Sequence, residues 1–111
     1  MVNRDSLTFC NDLAKQSKLM AIFLQNHVEY YGELLIHLFM ADLLRYLKNI
    51  NESEKISVVD FLDKSMSASE DAVDNAICLS FVGNIETVCE LNDLLSGQSL
   101  PRIRDEWHRY H

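Results

Sequence analysis

Glu86 and Glu90 stand four residues apart, a spacing that puts two carboxylates on one face of a helix, where they could share a divalent cation. No second motif completes such a site. The four histidines, His27, His37, His108 and His111, form no H-E-x-x-H run, and none pairs with Cys or Asp at a metal-ligand spacing. Neither a metal nor another cofactor is therefore expected. The three glycines are isolated, so no phosphate-cradling loop is present, and nothing joins the abundant carboxylates to a nucleophile. This pattern argues against an enzyme.

Cys10, Cys78 and Cys89 contain no C-x-x-C pair, and an odd number leaves one over in any disulfide scheme. Reduced thiols in a cytoplasm are the simplest account. Residues 1–12 mix charges with apolar residues and lack a secretory core. The most hydrophobic window, residues 34–47, contains His37, Asp42 and Arg45 and is too short to cross a bilayer. A soluble cytoplasmic protein with no membrane contact is the expectation.

Charge is the strongest signal. Residues 51–96 hold ten acidic residues against two basic ones, Lys55 and Lys64, while residues 1–50 carry five of each sign. Such asymmetry sets up a directional field that attracts cationic partners and raises their association rate. Nucleic acid is disfavoured as a ligand, since phosphate binding needs clustered Lys and Arg. A solubility role for the acid is the plainer alternative.

The elements that must position these groups are helical. Hydrophobic content of 48% with three Gly and one Pro suits an all-α chain, and 111 residues suffice for a single domain, 1–111, with its own core. Asp5 or Ser6 caps a first helix carrying Leu7, Cys10, Leu13 and Ala14. Residues 18–31 form a second stretch, either continuous with the first or separate, and Gly32 marks a joint. Residues 33–49 are apolar around the full circumference, the mark of a central helix buried on most sides. Asp42 falls on its Leu35, Leu38, Phe39 and Tyr46 side, partly buried, with Arg45 as its nearest partner.

A fourth helix over 53–64 buries Val58, Phe61 and Leu62 and turns Asp60, Asp63 and Lys64 to water. Ser67-Ala68-Ser69-Glu70 has capping-box spacing and opens a long fifth helix over 70–95. Its core stripe is Val73, Ile77, Phe81, Ile85, Val88 and Leu95. Glu86, Glu90 and Asp93 then project from the opposite face, beside Leu79, Val82 and Gly83. Gly97 stops this helix, and Pro101 begins a last one carrying Ile103, Trp107 and Tyr110. The result is a compact bundle of five or six helices.

An apolar centre rimmed by carboxylates is the layout of a protein-binding patch. Its expected members are Asp60, Asp63, Glu70, Asp71, Asp74, Leu79, Val82, Glu86, Glu90 and Asp93. Tyr30, Tyr31, Trp107 and Tyr110 are further candidate anchors, Trp107 fitting the core better.

The run 32–47, GELLIHLFMADLLRYL, followed by VDFLDK at 59–64 and DNAICLSFVGNI at 74–85, resembles a family of small helical bacterial proteins of unknown function. The family pattern reads G-E-x-L-x-H-x-(F/L)-M-(G/A)-D, then an acidic helix, then S-F-(apolar)-(E/G)-N. Gly83 stands where many members have Glu, which removes one acid from a contact face. The resemblance implies an immunity protein of the kind encoded beside polymorphic toxins, including those of contact-dependent growth inhibition. Its partner would be a toxin domain, a basic nuclease by preference, blocked sterically and electrostatically. A helical adaptor that binds another basic protein is the alternative.

Overall fold

The computed structural model describes residues 5–67 and 71–110, and its regular structure is helical, with no strand among these residues. Helix α1 spans Ser6–Ala14, α2 Lys18–Tyr31, α3 Ile36–Leu47, α4 Glu52–Ser65, α5 Ala72–Ala76, α6 Val88–Leu95 and α7 Pro101–Tyr110. Five or six helices become seven because the expected fifth helix is two.

Local chemistry fixes most of the ends. Asp5 accepts the Thr8 N–H, so it is the cap of α1. The undecided first pair is separate: the Ser17 side chain accepts the Met20 N–H and starts α2 afresh. Gly32 closes α2 in the left-handed region at φ 77°, its N–H bonded to the Val28 carbonyl at 2.8 Å. Asn51 caps α4, with Glu52 and Glu54 in the first turn and Lys64 in the last, each at the end the helix dipole favours.

Helix α3 is central, burying Phe39, Met40, Leu43 and Leu47 completely. It packs along α5 and the turn that follows, α1 runs against α2, and α4 touches both α6 and α7. Burial of α3 is nevertheless one-sided, with Leu38 45% exposed and Tyr46 half-buried. Asp42 lies on that open flank. It pairs with Arg45 as expected, but the Arg45 side chain is 71% exposed, so the pair is a surface contact worth about 0.5 kcal/mol rather than a buried one.

The largest departure is in the fifth helix. After one α turn the chain widens into a π turn at Ile77–Phe81, where the Val82 N–H reaches both Ile77 and Cys78 carbonyls, and then tightens to a 3₁₀ turn at Val82–Asn84. Gly83 permits the tightening, because a Cβ there would lie 3.3 Å from the Cys78 carbonyl oxygen. Ile85 leaves the helix in an extended conformation, and Thr87 caps α6 by accepting the Glu90 N–H at 3.1 Å. Val73, Ile77, Phe81, Ile85 and Leu95 are buried as the stripe requires. Val88 is 52% exposed, since α6 restarts in a new direction.

The carbonyl that Ile85 no longer gives to a helix accepts the Trp107 indole N–H at 2.8 Å. Trp107 is thus buried and belongs to the core. Gly97 follows the α6 terminus at φ 79°, after Ser96 at φ 52°.

Candidate docking surface

Three of the ten residues expected on the acidic face are carboxylates that the fold buries. Asp63 caps a helix from outside it: its Oδ1 accepts the Ile103 N–H in the first turn of α7 at 2.9 Å, across a separation of 40 residues. Asp71 caps α5 by accepting the Asp74 N–H at 2.8 Å, and Asp74 accepts the Ser67 N–H at 3.1 Å. Each satisfies a backbone donor that would otherwise be unpaired. Val82 is fully buried under the 3₁₀ turn, so it leaves the patch as well. Asp63, Asp71 and Val82 are thereby withdrawn from the surface, and Asp74 shows only in the wall of a cleft. Glu70 and the Tyr110 side chain lie outside the described residues, as do Ala68 and Ser69 of the expected capping box.

The acids that reach the surface gather on α4, α6 and the strand-like lead into α6. Asp60 is paired with Lys64 at 2.9 Å, one turn along α4. Glu90 is held by Lys48 from the end of α3 at 2.7 Å, and its other oxygen accepts the Glu86 N–H at 3.4 Å. The Lys48 hydrogen bond is the main reason the Glu90 carboxyl sits below its usual range. Glu52 is likewise lowered, first by a hydrogen bond from Ser96 at the end of α6 and then by Lys55. Lys55 bonds Glu52 at 3.1 Å and the Asp93 carbonyl at 2.9 Å, tying α4 to α6.

Leu44, Leu94, Lys48, Lys55, Glu90 and Asp93 line a cleft of about 430 Å³ between these helices. Asp93 in its wall and Glu86, whose N–H bonds Glu90, are exposed and form no ion pair among the described residues. Leu79 is exposed too, but on the π turn, beside a different cleft of about 520 Å³ whose walls include Asp74, Cys78 and Arg102. The expected single face is therefore split in two by the break in the fifth helix.

The chemistry within reach of these surfaces is limited. Burial, followed by the Glu106 and Asp74 carboxylates, pushes the Cys78 thiol up to about 12, and burial followed by Asp5 does the same to Cys10, so neither is a thiolate at neutral pH. No group of three or more His, Cys, Asp or Glu side chains converges as a metal site among the described residues.

Sequence reasoning missed one pair: His37 Nδ1 and Ser80 Oγ, 43 residues apart, lie 2.6 Å from each other. A hydroxyl beside an imidazole is half of a nucleophilic site. Among the described residues nothing orients the far nitrogen of His37, and neither cleft reaches Ser80, so the pair reads as a tie between α3 and the π turn. Its sequence separation hid it.

Tyr30 is 75% exposed and stacks edge-on with Tyr31, ring centroids 4.8 Å apart, leaving both available as anchors on a surface formed by the end of α2. No helix among the described residues is long and apolar enough to cross a membrane. No protein-family model, curated protein or solved structure matches the chain.

Proposed function

We propose that this chain is a binding protein of the toxin-immunity type, which holds a basic protein domain, a nuclease by preference, against the acidic face of α4 and α6. The observation that carries this reading is a pair of carboxylates without an ion pair among the described residues, Asp93 in the wall of the cleft and Glu86 joined to it through the Glu86 N–H bond to Glu90, where Glu90 itself is held by Lys48. Fixed negative charge at the rim attracts a cationic surface before contact, and the leucine floor of the cleft gives an apolar side chain a place to dock.

The reading predicts a separation of rate from stability. In the double variant E86K/D93K the altered side chains are exposed and unpaired, so the melting temperature should stay within about 2 °C, corresponding to less than roughly 0.5 kcal/mol. Association with a basic toxin domain that the chain binds, measured by surface plasmon resonance, should slow by about tenfold to a hundredfold at low salt. Much of the salt dependence should go with it. Glu90 is left intact because it bonds Lys48 and the backbone at the start of α6. An unchanged association rate in a well-folded E86K/D93K variant would remove this face from the interface.

A further inference from the structure

His27 is buried near the end of α2, yet no motif or spacing in the sequence gives it a role. Its Nε2 accepts the Leu35 N–H at 3.0 Å. Leu35 is the residue from which α3 starts, and that start has no side-chain cap of its own. The imidazole therefore satisfies one of the donors that every helix N-terminus leaves open. An acceptor at Nε2 places the proton of the neutral ring on Nδ1.

Between the two partners the chain makes its left-handed turn at Gly32, so this bond spans the whole α2–α3 joint. The ring is packed edge-on against Phe39 of α3, centroids 5.4 Å apart, and lies tilted against Tyr31 at 4.8 Å. We infer that His27 is a proton-operated latch: the neutral ring closes the α2–α3 joint by accepting from Leu35, and a proton on Nε2 opens it.

The reason is donor inventory. Protonated imidazole has two N–H groups and no acceptor, so Nε2–H would face the Leu35 N–H, leaving two donors opposed inside the protein. Burial holds the His27 pKa below its ordinary 6.5, with the Asp42 carboxylate of α3 acting in the opposite direction. That carboxylate is itself engaged by Arg45, and Tyr31 is the titratable neighbour on α2. The sign follows from proton uptake. Below pH 6.5 the unfolded chain binds a proton that the folded chain refuses, so stability falls from there down to the lower folded-state pKa and then levels off. Tyr31, exposed beside Tyr30, rides on this joint, which makes the presentation of the tyrosine pair sensitive to acid.

Amide exchange and side-chain nitrogen shifts on the intact chain test this. At two pH values, one above and one below the protonation of the His27 ring as its own nitrogen shifts follow it, the protection factor of the Leu35 amide should differ at least tenfold, lower on the acid side, while that of Leu43, in the buried middle of α3, stays within a factor of two. In His27→Phe, which keeps a ring but has no acceptor, Leu35 should be unprotected at both pH values and the difference should vanish. Equal Leu35 protection at the two pH values in the natural chain, or a pH-dependent loss that persists in His27→Phe, would overturn the latch. Should His27→Phe fail to fold, the imidazole shifts decide: a neutral ring protonated at Nε2 at pH 7.5 would refute it, and one protonated at Nδ1 would support it.

Discussion

Asp63→Ala is expected to lower stability by about 2–3 kcal/mol, enough to reduce the melting temperature by roughly 10 °C. The substitution removes the acceptor of the Ile103 N–H, a donor buried at the start of α7 with no other route to a partner once the carboxylate is gone. It also removes a negative charge from the positive end of that helix dipole. Asp63→Asn keeps an oxygen in place and should recover at least half of the loss. Asp60→Ala, three residues earlier on α4, is the control: its pair with Lys64 lies at the surface, and its removal should cost less than about 0.5 kcal/mol. Thermal unfolding of the three variants distinguishes a buried cap from a docking acid, because a docking role for Asp63 would leave Asp63→Ala as stable as the parent.

Trp107→Ala should be costlier, about 3–5 kcal/mol, since it opens a large cavity between α7 and the broken fifth helix. The indole also satisfies the Ile85 carbonyl, which the helix gave up when it ended. Trp107→Phe separates the two contributions: most of the volume returns, the carbonyl stays unpaired, and the cost should drop to about 1–3 kcal/mol. Urea titration followed by circular dichroism measures both. In the parent, fluorescence reports the same transition, because this is the only tryptophan in the chain and it goes from buried to exposed on unfolding. If Trp107→Ala cost under about 1 kcal/mol, the indole could not be the fastener of that break.

Helix existence and most helix ends were legible because they depend on neighbours in sequence. Asp5, Gly32, Asn51 and Gly97 do in the structure what their types and positions imply. The fifth helix misled because its apolar stripe recurs at helical spacings of three, four and seven residues, a pattern that one long helix and two packed shorter pieces satisfy equally. A local signal of the break was present in Thr87-Val88-Cys89-Glu90, which has the capping-box spacing and caps α6. Gly83, four residues before, marks where the backbone tightens.

The acidic surface was only partly legible, for a different reason. Charge counts do not distinguish a carboxylate that meets solvent from one that meets a backbone N–H. Asp63 finds its donor 40 residues away, and no local pattern announces it. Asp71 and Asp74 are better signposted, since an acid three residues before another at a helix start is capping spacing. His27 and the His37–Ser80 tie depend on tertiary packing and were silent. Glu86, in the lead into α6, and Asp93, on it, are exposed as the sequence implies, whereas Glu90 is half-buried against Lys48.

Toxin neutralisation is most directly tested by co-expression in a bacterial host. A basic nuclease toxin domain drawn from the reading frames that neighbour the gene is induced alone, with this chain, and with E86K/D93K at matched folded levels. A role in immunity predicts arrest with the domain alone, growth restored by at least a hundredfold in colony count with the natural chain, and that rescue lost with the double variant. Arrest that the natural chain leaves unrelieved would contradict neutralisation itself, and equal rescue by both chains would contradict the acidic face as its means.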